Sequence, residues 1–272
     1  MEDHPESVSI GSISPKAYQV PAENEFTFTT LKKSIDSLEE KYESHVHQGG
    51  SQYVALTNLS EEHLEVLERE REKHYLPHMR VHYYPNHTNA IIKFAERRHE
   101  TATAAFRTMI TRILDSLQIS ETMLLPGGAG RQRMGSGTSK EPDHSWIPLL
   151  TRPSDEFPSF VVEIGIGEVL SRLRVDAGIW FDSSNGLARL VLLIAVDVEQ
   201  KTIRIERWQS SQCVQVVTIN KINQTVSNAP LILPIDLIFD DRIPLPDGSP
   251  SASELLSIPA ASLLHYADVV FA

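Results

Sequence analysis

Apolar positions recur at three- and four-residue steps through Ala102, Ala105, Phe106, Met109, Ile110, Ile113, Leu114 and Leu117. That period predicts one long amphipathic helix lying on a sheet or on a second helix. Farther along the period changes. FVVEIG is a short apolar run that predicts a buried strand, EVLSRLRVDAGIWF places Leu170, Leu173, Ala177 and Trp180 on one helical face, and LARLVLLIAVDV reads as a strand buried on both sides. Strand, helix and strand in that order predict a right-handed crossover that makes the two strands parallel neighbours. KTIRIERW alternates Ile203 and Ile205 with charged residues and predicts an antiparallel edge strand, with a further strand in VQVVTI.

Nearer the start, Leu31, Ile35, Leu38 and Tyr42 mark a helix over 30–42, and Ser60 followed by EEH predicts an N-cap and an acidic first turn before Leu64 and Leu67. Gly49 and Gly50 leave HVHQGGSQ between them as a loop. After Pro77, MRVHYY, PNHTN and AIIKF read as strand, turn and strand, the expected opening of the folded core. Residues 1–28 mix Ser, Pro, Glu and Gly without a period, which predicts a flexible arm. The chain thus divides into an arm over 1–28, a helical extension over 29–76 and a folded domain over 77–272.

Charge narrows the functions. Lys and Arg total 25 against 36 Asp and Glu, a net charge of −11, which excludes holding duplex nucleic acid by bulk charge and makes any DNA contact local. The most apolar run, 190–196, is bracketed by Arg189 and Asp197 and is too short for a membrane span. MEDHPESVSI lacks the basic start and apolar stretch of a secretory signal, so the expectation is an intracellular protein, cytoplasmic or nuclear. Cys213 is the single cysteine, which excludes an internal disulfide and a thiolate zinc cluster.

The chemistry-bearing stretch is Glu141, Pro142 and Asp143, followed by Glu163 inside the apolar strand FVVEIG. A carboxylate in such a strand needs a partner. Two carboxylates from adjacent strands form a hard-oxygen site suited to Mg²⁺ or Mn²⁺; a pairing with Arg or with backbone N–H groups satisfies them equally.

KEPDHSW, then PSFVVEIGIGE, then LSRLRVDAGIWF and LVLLIAVDVEQKTIRIERW resemble, in that order, the PD-(D/E)XK or restriction-endonuclease-like superfamily, and are similar to a fungal branch of it. The resemblance covers about residues 79–208. It implies an α/β (α+β) core with a mixed central sheet flanked by helices, here behind an N-terminal helical extension. It further implies metal-dependent phosphodiester hydrolysis, with Asp143 and Glu163 as ligands of Mg²⁺ or Mn²⁺, DNA as substrate and Glu100 of the first helix as an additional acid. Two-site cleavage of a duplex favours a homodimer. The departure is at the family's lysine, two residues after the Glu, where this chain has Gly165. Lys140, Arg172 and Arg174 are the candidate relocated cations; the alternative for Arg172 is a pair with Asp176 one helical turn on. Without such a cation, the alternative function is a catalytically inactive nuclease fold acting as an interaction module.

Helical phase sets Glu100 on the polar side of its helix and His99 on the apolar side, so Glu100 reads as solvated and His99 as a packed histidine. His74, His78 and His82 are four residues apart, but Pro77 interrupts any helix there, and surface histidines are expected. Gly130 and Gly135 lack the Lys of a nucleotide-binding loop, and Ser136 lacks the frame of a hydrolase serine. Arg131, Arg133 and Lys140 form a local basic, glycine-rich segment, the candidate contact to DNA phosphates.

Overall fold

The structure, a computed structural model, describes residues 18–73, 76–85, 89–154, 156–167, 170–241 and 256–272. Its elements run β1 (Glu25–Thr27), α1 (Leu31–Gln48), β2 (Tyr53–Thr57), α2 (Glu61–Glu72), β3 (Met79–Tyr84), β4 (Asn89–Phe94) and α3 (Arg97–Ser116). Then follow β5 (Leu124–Pro126), β6 (Gln132–Arg133), β7 (Ser139–Lys140), β8 (His144–Pro148), β9 (Phe160–Ile166), α4 (Leu170–Ser183) and β10 (Leu190–Asp197). β11 (Thr202–Gln209), β12 (Gln212–Asn220), β13 (Thr225–Ser227), β14 (Leu231–Ile232), α5 (Ile235–Ile238), β15 (Ser257–Ile258) and α6 (Ala260–Val270) complete the mixed α/β fold.

Two sheets organise it. The larger has the order β13-β12-β11-β10-β9-β8-β5, in which β9 and β10 are parallel and all other pairs antiparallel. The crossover through α4 therefore forms as the apolar pattern predicts. β10 is buried on both faces: Leu190, Leu192 and Ile194 meet the side of α3 and α6, whereas Val191 and Leu193 meet α4. β11 is not an edge strand, because β12 and then β13 pair beyond it. Its alternation instead reflects Arg204 and Glu206 on a half-covered face.

The second sheet has the order β1-β2-β4-β3-β7-β6 and corrects the expected division of the chain. The segment over 29–76 is not a helical extension alone, since YVALT forms β2 between β1 and β4. Five residues without alternation carry no period to read. The β3–β4 hairpin belongs to this N-terminal sheet rather than to the larger one, and β7 joins it through His82 opposite Lys140. The expected arm is corrected from Tyr18 onward: Tyr18, Val20 and Phe28 are buried and β1 pairs with β2, while residues 1–17 lie outside the described residues. Local signals did fix the helix ends. The Thr30 and Ser60 hydroxyls accept from the Lys33 and His63 amides, and α1 stops at Gly49, whose φ of 69° suits glycine. Among the described residues, no helix is long and apolar enough to cross a membrane.

Candidate functional site

The two sheets meet over a polar centre. β8 runs antiparallel to β9 with His144 opposite Val162, so one residue earlier Asp143 comes level with Glu163. Neither carboxylate faces water: Asp143 is 1% exposed and Glu163 2%. Burying an ionised group without partners costs many kcal/mol, so the chain must supply partners.

Asp143 has four. Its Oδ2 accepts from the Ile164 amide at 2.7 Å and lies 3.0 Å from both Lys93 Nζ and His99 Nε2, and Arg80 Nε stands 3.6 Å from Oδ1. Burial pushes the Asp143 carboxyl up, but His99, Lys93 and Arg80 outweigh it and hold the group well below its ordinary range. Burial likewise opposes a charged His99, and the Asp143 carboxylate overrides it, raising the imidazole. Lys93 Nζ also donates to the Ile164 carbonyl at 2.5 Å, tying β4 to β9.

Glu163 has a different shell. Its Oε1 accepts from Trp180 Nε1 at 2.6 Å and from Lys140 Nζ at 3.1 Å. Lys140 also pairs with Asp176 Oδ1 at 2.8 Å, and the Tyr18 hydroxyl donates to that same oxygen at 2.7 Å. Burial pushes Glu163 up to about 8, with the Lys140 ammonium pulling the other way. For Lys140, burial disfavours the charge, yet Asp176 and Glu163 raise its pKa. His82 packs beside them, bonded to Tyr18 and Tyr84, and burial holds it well below its ordinary pKa.

Of the residues read from the sequence, Asp143, Glu163 and Lys140 come together. Glu100 sits at the rim, its side chain 41% exposed, and Arg80 links it to the centre by a 2.8 Å contact. Arg172 does not reach the acids: it donates to the Gln19 carbonyl and lies over the Tyr53 ring. The alternative pair of Arg172 with Asp176 does not form either, because Lys140 and Tyr18 take that carboxylate. Arg174 pairs with Glu206 on β11. Arg131 and Arg133 lie against Glu68 and Glu61 of α2, so the local basic segment faces acids of its own chain. His82 is buried, a correction to the expected surface position, whereas His78 is exposed; His74 lies outside the described residues.

His99 is the packed histidine expected from the sequence, whereas sequence reading gave no place in the centre to Lys93, Asp176, Trp180 or Tyr18. Lys93 carried the signal that singled out Glu163, a lone charge inside the apolar strand AIIKF. His99 carried a phase signal, in step with Ala102 and Phe106.

A divalent ion fits this arrangement poorly. Asp143 Oδ1 has no hydrogen-bond partner and is an available ligand atom, but the remaining contacts place ammonium groups where a cation would bind. The free space among Tyr18, Lys93, Lys140, Glu163 and Asp176 is about 10 Å³. That is roughly the room for one water, whereas Mg²⁺ keeps several. No set of three or more His, Cys, Asp or Glu suited to a metal occurs among the described residues.

No family model matches the chain, and no curated protein matches it. Among solved structures it is similar to a candidate nuclease belonging to DUF820 from Anabaena variabilis ATCC 29413, at 12% identity and a TM-score of 0.43, over 69% of this chain and 90% of that one. At that distance no residue role passes from one protein to the other.

Proposed function

We propose that the chain is a PD-(D/E)XK-type nuclease fold whose acidic centre serves as an ion-paired junction between two sheets, the protein acting as an interaction module. The supporting observation is a closed set of ion pairs in a sealed space. Asp143 faces Lys93, His99 and Arg80, and Lys140 stands between Glu163 and Asp176, so each buried acid already has a cation beside it before any ion arrives. Among the described residues, Tyr18, Tyr53 and strands β3 and β4 line the space over the acids, which are too deeply buried for a phosphodiester to touch without a movement of that sheet. The lysines are held between strands of both sheets: Lys93 of β4 bonds Ile164 of β9, and Lys140 of β7 bonds Glu163 of β9 and Asp176 of α4.

A second reading, Mg²⁺- or Mn²⁺-dependent DNA hydrolysis, is favoured by Asp143 Oδ1 without a hydrogen-bond partner and by Lys140 standing beside Glu163, where a relocated motif lysine is needed. In that reading Asp143 and Glu163 are the ligands and the overlying sheet must move. Incubating the purified full chain with supercoiled plasmid and Mg²⁺ or Mn²⁺ separates the two. The junction reading expects no metal-dependent nicking above that of a Lys140→Ala preparation; nicking lost in both Asp143→Asn and Glu163→Gln overturns it in favour of catalysis.

A further inference from the structure

On the opposite side of the large sheet, α3 and α6 pack together, with Phe106 and Tyr266 in edge contact, and leave an open groove of about 690 Å³ along their outer seam. Its walls are small or apolar: Ala104, Ala105, Met109 and Ile113 from α3, Ala261 and Val269 from α6. Val269 is among the exposed large apolar side chains, at 37%.

Charge gives the groove a sign. Among the described residues, the basic side chains that line it are Arg112 and His265, both exposed, and no acid lines it. Arg97 and Arg98 lie one turn before it on α3, both exposed. No ion pair of Arg97, Arg98 or Arg112 occurs among the described residues. Of the neighbouring acids, Asp268 of α6 pairs with Lys221 and also lies near His265, Glu100 pairs with Arg80, Asp115 lies beyond the last lining residue of α3, and Glu121 lines an adjoining pocket on the far side of Arg112. In a chain of net charge −11, this is a local basic face with an apolar floor.

We propose that the α3–α6 groove docks an acidic amphipathic helix of a partner protein. The groove follows α3 from Thr101 to Ile113, which at a rise of 1.5 Å per residue is about 18 Å, or about three helical turns. That length takes apolar anchors at i, i+4, i+7 and i+11, the usual way a helix lies in a groove. Ala104, Ala105 and Ala261 let a partner backbone approach, while Arg97, Arg112 and His265 meet carboxylates on its flanks. A small ligand is enclosed on most of its surface in its site, and this trough is open along its length. Duplex nucleic acid needs donors along the contact, and the floor here is apolar. The proposal holds whether or not the acidic centre is catalytic, since the two lie on opposite faces of β9.

The test is fluorescence anisotropy with the full chain and four labelled probes. These are an 18-residue helix with Leu anchors and Glu flanks, the same anchors with Lys flanks, the Glu-flanked helix with Leu changed to Ser, and a duplex DNA oligonucleotide. Saturable binding of the first alone is expected, weakened about tenfold by Ala104→Glu and by Val269→Asp, each of which places a carboxylate in the groove. Both positions are exposed, and thermal melts confirm folding. No binding of the acidic helix, equal binding of the Lys-flanked helix, preference for DNA, or indifference to both substitutions overturns the proposal.

Discussion

Strand β9 has two faces of opposite character, seven residues long. Phe160, Val162 and Ile164 point into an apolar core shared with α3, α6 and β10, with the buried His144 beside Trp146 as its polar neighbour. Glu163 points the other way, among Trp180, Lys140 and Asp176. The apolar face is held by burial, which is non-directional and tolerates exchange of one aliphatic for another. The polar face is held by a closed set of partners, in which each buried charge is tolerable only because of the next. The first face builds the sheet, and the second decides how the two sheets meet.

Removing one member of the closed set is the largest expected effect. Lys140→Ala leaves Asp176 with Tyr18 alone and Glu163 with Trp180 alone, a loss of about 3–5 kcal/mol in unfolding free energy by urea titration. Ile194→Val on the apolar face of the adjacent strand should cost about 0.5–1.5 kcal/mol. If the two losses are equal, the polar centre is not holding the sheets, and the contrast between the faces fails.

The same contrast explains what was readable from the sequence. The apolar face was legible because period is a property of many residues: α3, β9, α4 and β10 all form where the spacing places them. A partner network leaves no period. Asp143 and Glu163 stand out through a charge inside an apolar run and a family resemblance, whereas Lys93 in AIIKF bears the same mark inside a strand that reads as one arm of a hairpin. Tyr18 could not be seen at all, since one aromatic in an aperiodic segment gives no sign that it will lie against Asp176, more than a hundred residues away. The edge position assigned to β11 failed for a related reason: alternation reports a half-covered face, not which strand lies next.

An intermediate effect separates geometry from charge within the centre. Trp180→Phe keeps most of the apolar contact against Phe157 but removes the indole N–H from Glu163. The cost should be about 1–3 kcal/mol, that of a buried acceptor left short of a donor. A loss well below this, measured by the same titration, would show that Lys140 alone satisfies Glu163.

The smallest effect at mildly acid pH is also the most specific. Glu163 has a folded pKa of about 8 against an ordinary 4.5, so folding favours its protonated form. Its contribution to stability is therefore complete below about 4.5 and is lost as pH rises through about 8. His99, raised by Asp143, adds a loss of the same sign above its ordinary 6.5, whereas Asp143, held low, loses its contribution only toward acid, below 3.8. The thermal midpoint of the wild type should fall between about pH 6 and pH 9. Glu163→Gln presents a neutral amide whose oxygen can still accept from Trp180 and Lys140, so at pH 6 it should lie within about 1 kcal/mol of the wild type. At pH 9 the variant should be the more stable of the two, its remaining slope being that of His99. Parallel wild-type and variant profiles would mean that Glu163 is already ionised at neutral pH, and the centre would then hold three buried carboxylates against Lys93, Lys140 and the raised His99 rather than two carboxylates and a neutral Glu163.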